Sequence, residues 1–242
     1  MDLQEKVWSY SAVRLFETCP YAFKLKYIDG ISEKPNAFAQ HGSLVHSILE
    51  RYFKGELYAF ELADVFQQEY PKAVTEHFPF FNMYKAFFGK TLDYLQNFDG
   101  IDGEVVSVEE KFETKFGDYN FVGYADLIMR DDTGLVLIDH KSHSAFKNKA
   151  ERTEYFRQLY LYAECIKRKY GEYPYKLVFN MFRVPKMEAE IFAPKQSKDD
   201  VIWFQNSVKK ILENKNWDCK VDEWYCNNLC KFEDCVYGGV SS

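Results

Sequence analysis

The chain has 242 residues, of which 47% are hydrophobic and 28% charged, with a net charge of −6. This composition is typical of a globular protein with its own core and excludes a disordered chain. The negative charge argues against a surface that coats nucleic acid broadly, although it allows a local basic groove. The sequence lacks an apolar run near the roughly 18 residues of a membrane span, and its N-terminus lacks a signal-peptide core. We therefore expect no membrane contact and a cytoplasmic protein, in the host cytoplasm if the source is a virus.

The N-terminal part is predicted to be mainly helical. Residues 10–27 predict two helices that meet at Pro20, with Ser9 or Ser11 as the N-cap and Cys19 at the junction. Residues 36–54 predict an amphipathic helix closed by Gly55. Residues 56–98 predict two or three more helices, with breaks near prolines 71 and 79.

The middle of the chain predicts three antiparallel strands near 105–115, 120–129 and 135–141, with a tight turn at 131–134. If Arg130 faces Leu135, Asp126 lies opposite Asp139, with Cβ atoms about 4.5–5.5 Å apart. Lys141 projects from the same strand face as Asp139. Two carboxylates and a lysine that converge suit a hard divalent cation and an anionic substrate. The alternative is a chance acid pair on a solvated strand, which the buried character of 136–138 disfavours.

Glu109 or Glu110, on the first of these strands, could approach the same point. Further along, residues 151–170 predict a helix closed by Gly171, residues 175–184 a buried strand, and 188–192 its hairpin partner. Ser197 is the predicted N-cap of a helix over 197–213.

This order of elements predicts an α/β (α+β) fold with a central mixed sheet flanked by helices. We interpret 1–242 as a single domain. Its parts are a mainly helical region (1–100), a catalytic sheet core (101–195) and a C-terminal helix with a Cys-rich tail (196–242).

Six cysteines are present, and four of them lie close together in the tail, at 219, 226, 230 and 235. Disulfides are unfavourable inside cells, so these residues are predicted to be metal ligands or core thiols. Such spacing favours a metal site without identifying the metal. Cys165, within the predicted helix at 151–170, is most simply a core thiol.

The sequence Gly-Tyr-Ala-Asp at 123–126, followed after twelve residues by Asp-His-Lys at 139–141, resembles the core of the PD-(D/E)XK nuclease superfamily. The wider chain resembles its RecB-like branch, which includes AddB-type and CRISPR-associated exonucleases that carry an iron–sulfur cluster. The resemblance implies a restriction-endonuclease-like core.

The resemblance also implies a catalytic site. Gly-Ser-Leu-Val-His at 42–46 resembles the metal-binding helix of the family, and Gln158 with Tyr162 resembles its Q-x-x-x-Y motif. The implied ligands of Mg²⁺ or Mn²⁺ are His46, Asp126, Asp139 and the carbonyl of His140. Lys141 would orient or deprotonate the attacking water, and Gln158 and Tyr162 would position the scissile region.

Ser11 to Pro20 resembles the opening motif of the iron–sulfur nucleases. The implied ligands of a 4Fe–4S cluster are Cys19, Cys226, Cys230 and Cys235. The spacing in the tail departs from that of the family, so Cys219 remains an alternative ligand and zinc an alternative metal.

Together these patterns predict a divalent-metal-dependent DNA nuclease, most simply an exonuclease on single-stranded DNA or DNA ends. Recombination, repair or replication is its expected setting, with a helicase or recombination protein as a candidate partner. One alternative is a catalytically silent nuclease-like module that binds DNA or protein and keeps a structural four-cysteine metal site. Another is a small Cys-rich zinc protein with an unrelated enzyme core.

Overall fold

A computed structural model describes residues 3–142, 145–184, 186–230, 232 and 235. The helices are α1 (Tyr10–Thr18), α2 (Pro20–Tyr27), α3 (Ala37–Phe53), α4 (Leu62–Ala73), α5 (Phe81–Gln96), α6 (Lys149–Tyr170), α7 (Pro194–Glu213) and α8 (Glu223–Asn228), with a 3₁₀ turn at Ala59–Glu61. The strands are β1 (Glu104–Phe116), β2 (Tyr119–Arg130), β3 (Leu135–Lys141), β4 (Lys176–Met181) and β5 (Lys186–Ile191).

The five strands form one sheet in the order β1-β2-β3-β4-β5. β2 and β3 are antiparallel, β3 and β4 are parallel, and β4 and β5 are antiparallel. The parallel pair is connected through α6, as a crossover between parallel strands requires. The predicted fold class, a mixed sheet flanked by helices, is confirmed.

The β2–β3 hairpin has the predicted register. Arg130 pairs with Leu135, and the pairing continues to Leu127 with Ile138. The turn is held by Asp131, whose Oδ1 accepts hydrogen bonds from the N–H groups of Thr133 and Gly134 at 2.9 and 3.1 Å. A side chain that satisfies two turn amides fixes where the chain reverses, and the point of reversal fixes the register.

The chain divides into two compact units. The first comprises the described residues of 1–36, 113–123 and 201–242, and its core contains Trp8 stacked on Phe23 at 6.2 Å and Phe121 against Phe204 at 5.2 Å. The second unit comprises 37–112 and 124–200. The interpretation of 1–242 as a single domain stays a prediction.

The second unit contains two apolar clusters of buried side chains. One joins α3, α4 and α5, and the other covers one face of the sheet. The sheet cluster includes Val136 and Ile138, so the predicted burial of this strand is confirmed. None of the helices described has the length and apolar character needed to span a membrane.

At two prolines the helices differ from the sequence prediction. Pro71 lies within the last turn of α4, which continues to Ala73. The loss of one backbone hydrogen bond there leaves the rest of the helix intact. α7 begins at Pro194, not at Ser197. Proline suits the first helical position, because the backbone N–H of that position has no partner within the helix. Ser197 is fully buried and its hydroxyl donates to Glu164 at 2.5 Å.

Candidate active site and cysteine cluster

The ends of β2 and β3 bring Asp126, Asp139 and Lys141 together. Lys141 Nζ lies 2.8 Å from Asp139 Oδ2, and the His140 N–H donates to Asp126 Oδ2 at 2.7 Å. The last pair of β2 and β3 is Leu127 with Ile138, so Asp126, which precedes Leu127, lies just beyond the paired residues. The Asp126 carboxylate, and not a backbone carbonyl of β2, therefore accepts the hydrogen bond from the His140 N–H. This bond holds the carboxylate beside β3.

Asp139 is almost wholly buried, with 2% of its surface exposed. Within the described part of the chain, its Oδ2 accepts no hydrogen bond of regular geometry, so its neighbour is the Lys141 ammonium. Burial alone would lower the pKa of Lys141, but the charges of Asp139 and Asp126 outweigh it and raise the pKa above its ordinary value. Lys141 is therefore a fixed cation at the end of β3.

His46, on α3, faces the same carboxylates. Its Nδ1 lies 3.4 Å from Asp126 Oδ2. Burial lowers the pKa of His46, although the charge of Asp139 opposes that effect. A neutral imidazole is the form that binds a metal ion, so this environment favours ligation.

Glu109, on β1, joins His46 and Asp126 in one group. The sequence left open whether Glu109 or Glu110 approaches these residues. Among the described residues, His46, Glu109 and Asp126 are the ones whose ligand atoms all lie within 4.8 Å of one another. Glu110 instead bonds Lys169, Tyr170 and Ser107. The backbone of Glu109 has φ 52°, a left-handed conformation that costs a non-glycine residue about 1–2 kcal/mol.

The residues present fit a divalent cation. Burial, followed by the charge of Asp139, raises the pKa of Asp126 well above its ordinary value. Burial, followed by the charge of Glu50, also raises the pKa of Glu109. Closely spaced carboxylates that destabilise each other's charge are stabilised by a cation between them. Asp126, Glu109 and His46 line an open groove. Its other lining residues are Gly42, Ser43, Ser47 and Glu50.

Gln158 and Tyr162 extend the site along α6. Lys141 Nζ lies 3.4 Å from Gln158 Oε1, and Gln158 Nε2 donates to the Tyr162 hydroxyl at 3.0 Å. Burial raises the pKa of Tyr162 to about 12, so the hydroxyl stays protonated. Gln158 and Tyr162 lie one turn apart on α6, and the side-chain amide of Gln158 bridges the Tyr162 hydroxyl and the Lys141 ammonium.

The His140 side chain points into the core. Its Nδ1 lies 2.9 Å from Asn180 Nδ2, which is also 2.7 Å from the Tyr94 hydroxyl, and its ring stacks on Phe53. Burial lowers the pKa of His140 well below its ordinary value. The imidazole anchors the end of β3, and the backbone of His140 is what faces Asp126. Neither Asn180 nor Tyr94 lies in a motif or at a distinctive spacing, so the sequence does not predict this anchor.

Comparison with known proteins agrees with this geometry. The family model described as the PD-(D/E)XK nuclease superfamily matches residues 7–235. The chain belongs to the PD-(D/E)XK nuclease superfamily. A search of curated proteins finds no match.

Two solved structures resemble this superfamily member to different degrees. A protein from Eubacterium rectale, described as a candidate exonuclease, is 14% identical, with a TM-score of 0.55 over 99% of this chain and 91% of that chain. The protein SSO0001 is 17% identical over 91% of this chain and 96% of its own, with a TM-score of 0.33. The first likeness supports the fold alone, and the second carries no argument.

In the first unit of this PD-(D/E)XK protein, five cysteines gather around one buried apolar cluster. Cys19, Cys230 and Cys235 are members of the cluster, and Cys219 packs against it. Cys226 is also buried, on α8. Cys19 Sγ lies 3.8 Å from Cys219 Sγ, so the alternative ligand named in the sequence analysis is part of the same group.

The thiols of this group fit a metal or cluster. All the cysteines that the structure describes are free of disulfides. Burial, and then the charge of Cys235, raises the pKa of Cys230 to about 12. Burial also raises the pKa of Cys219 to about 11, with Cys19 contributing. Thiolates that raise one another's pKa lack a compensating positive charge, which bound metal supplies.

The spacing of the sulfurs bears on which metal fits. Ligands of one tetrahedral zinc lie about 2.3 Å from the ion, so their sulfurs lie roughly 4 Å from each other. Among the described residues, the three-residue group within 4.8 Å contains no cysteine. Cys19 Sγ and Cys219 Sγ, 3.8 Å apart, have the spacing that zinc requires, so iron–sulfur and zinc both stay predictions. Cys165 belongs to the second unit, where it is buried in α6 with its Sγ 3.4 Å from the Leu161 carbonyl.

Proposed function

We propose that this PD-(D/E)XK protein is a divalent-metal-dependent DNA nuclease. More narrowly, we propose an exonuclease that acts on single-stranded DNA or DNA ends in recombination, repair or replication. The observation that carries the proposal is the convergence of His46, Glu109 and Asp126 beside the buried Asp139–Lys141 pair.

In this proposal, His46, Asp126 and Asp139, with the His140 carbonyl, hold Mg²⁺ or Mn²⁺, and Glu109 adds a further carboxylate. A bound divalent cation supplies Lewis-acid stabilisation of charge on a phosphodiester. The Lys141 ammonium donates to a non-bridging phosphate oxygen or to the attacking water, and Asp139 fixes its position. Gln158 restrains Lys141 from α6, and the protonated Tyr162 hydroxyl fixes the amide of Gln158.

We further propose that the cysteine group holds a 4Fe–4S cluster, with Cys19, Cys226, Cys230 and Cys235 as ligands. Iron–sulfur clusters take four thiolates, whereas this group contains five cysteines, so one of the five is surplus. The contact between Cys19 and Cys219 makes Cys219 the first residue to test as a substitute.

The nuclease proposal is tested with purified protein and end-labelled single- and double-stranded DNA, with Mg²⁺, Mn²⁺ or chelator. We expect cleavage that requires metal and that removes nucleotides from labelled ends. Asp126→Asn and Asp139→Asn should each remove that activity while circular dichroism remains that of the wild type. A wild-type protein that binds DNA yet cuts neither substrate with either metal would overturn catalysis in favour of a binding module.

A further inference from the structure

An exposed aromatic patch lies in the second unit, at the start of α5. Phe80 and Phe81 are 58% and 65% exposed, and adjacent phenylalanines at that exposure are unusual on a protein surface. Lys85, one turn further along α5, is also exposed, and its Nζ lies 4.8 Å from the centre of the Phe81 ring. Among the described residues Lys85 forms no ion pair, so its charge is available to an anion.

Ring contacts continue from this patch towards half-buried aromatics. Phe81 stacks on Tyr84 with centroids 6.0 Å apart, Tyr84 lies 6.4 Å from Phe78, and Phe78 lies 5.1 Å from Phe87. We call Phe78, Phe80, Phe81, Tyr84 and Phe87 the aromatic strip. Phe78, Tyr84 and Phe87 are partly buried, and their packing fixes the backbone that carries the exposed Phe80 and Phe81.

The other end of the aromatic strip meets the candidate active site through Arg183. Its guanidinium carbon lies 3.7 Å from the Phe87 ring centre, and its Nε donates to the carbonyl of Ser142. Ser142 directly follows Lys141 in the chain. By contrast, Arg152 and Arg157 are paired with Glu190 and Asp200. Arg183 is therefore the cation that connects the strip to the end of β3.

We propose that the aromatic strip, with Lys85 and Arg183, binds the single-stranded DNA that leads to or from the active site. The proposal rests on the nuclease function proposed above and names its substrate form. Exposed rings beside cations are the arrangement that binds unpaired bases and phosphates, because every base has a face that stacks on an aromatic ring. Bases in a duplex are already stacked, so the strip should discriminate against double strands.

The chain offers a matched control patch. Tyr58 and Phe60 are 69% and 79% exposed and stack on each other at 5.6 Å. Their sequence neighbours Glu56 and Glu61 are acidic, which disfavours a polyanion. Loss of these two rings should leave DNA binding unchanged.

Fluorescence anisotropy in chelator measures binding without cleavage, with labelled oligodeoxythymidine of about 20 nucleotides as the probe. We expect Phe80→Ala/Phe81→Ala to raise the Kd about tenfold or more, and Tyr58→Ala/Phe60→Ala to leave it at the wild-type value. Lys85→Ala should weaken binding and lower the salt slope by about one. With metal, the Phe80/Phe81 variant should raise KM for the same DNA and leave kcat unchanged.

The outcomes separate the two proposals. If the wild-type protein cuts DNA and the Phe80/Phe81 variant matches it in Kd and KM, the strip proposal is overturned and the nuclease proposal stands. If the strip variants weaken binding but the wild-type protein never cuts DNA, the strip stands and catalysis fails. Equal losses in the Tyr58/Phe60 control would overturn the strip, as would a wild-type protein that does not bind single strands.

Discussion

Single residues in the candidate active site depend on each other because their charges are largely removed from water. Asp139 is 2% exposed and pairs with Lys141, so the loss of one partner leaves the other without compensation. This dependence allows the structural role of the pair to be measured separately from its chemical role.

We predict that Lys141→Met lowers the free energy of unfolding by about 3 kcal/mol, because it leaves a buried carboxylate unpaired. Asp139→Asn/Lys141→Met removes both charges and should recover most of that loss. Neither variant should cleave DNA. Urea unfolding in chelator measures the first effect and the end-labelled DNA assay the second. A single variant as stable as the double variant would show that the pair is not coupled.

Glu109 and Glu110 provide a second test at the scale of one residue. Glu109→Gln should raise the concentration of Mg²⁺ needed for half-maximal cleavage by about tenfold or more, as does loss of groups that support a metal. His46→Ala should shift the titration in the same direction. Glu110→Gln is the control, because that side chain bonds Lys169 and Tyr170, and its titration should match the wild type. Equal titrations for Glu109→Gln and the wild type would remove Glu109 from the metal site.

At the scale of elements, the sequence predicted most where local chemistry decides the outcome. The turn at Asp131 fixed the hairpin register, and alternating apolar residues located β1, β2 and β3. The choice between Glu109 and Glu110 could not be predicted, because Glu109 has a positive φ that no sequence pattern signals. Nor could the anchoring of His140 by Asn180, since residues 40 positions apart meet only through the parallel pairing of β3 and β4.

The packing of α3 against the other helices of the second unit predicts a dependence of stability on pH. His41 is fully buried, among rings that include Phe66 and Phe87, and its Nε2 contacts Thr91. In the described part of the chain its Nδ1 has no hydrogen-bond partner. Burial, with Arg183 nearby, lowers the pKa of His41 from 6.5 to about 4. Between those two values, the unfolded chain holds a proton on His41 that the folded chain does not.

Because the unfolded state binds more protons in that window, stability falls as the pH is lowered from about 6.5 to about 4. Between pH 7 and pH 5 the His41 contribution should fall by about 2 kcal/mol. Urea unfolding at both pH values measures it. His41→Phe should lose that part of the pH dependence, whereas the exposed His77→Gln should keep it. A His41→Phe protein with the wild-type pH dependence would contradict the assignment.

At the scale of the whole chain, the proposed cluster would connect the beginning and the end of the sequence within the first unit. Cys19 and Cys226 are 207 positions apart (226 − 19). By the loop-entropy estimate for disulfides, closing so long a loop contributes on the order of 5 kcal/mol. That is comparable to the whole stability of many domains. We therefore expect loss of the cluster to lower the stability of the protein, and to affect catalysis only as a consequence.

The prediction is that protein purified without oxygen is brown, contains iron and acid-labile sulfide, and loses both colour and stability in air. Cys19→Ser, Cys226→Ser, Cys230→Ser and Cys235→Ser should each lose the colour and lower the unfolding midpoint. Cys165→Ser is the matched control, because its thiol is buried in α6 of the second unit and contacts the Leu161 carbonyl, and it should keep the colour.

Cys219→Ser tests which cysteines are the ligands. Cys219 Sγ lies 3.8 Å from Cys19 Sγ, so either residue is positioned to bind the cluster. If Cys219→Ser loses the colour while Cys19→Ser keeps it, the ligands all lie in the tail. The long loop is then not closed, and Cys19→Ser should cost little stability.

If the anaerobic protein is colourless and carries one zinc, the thiolate site stands with a different metal. In that case the same four variants should lose zinc.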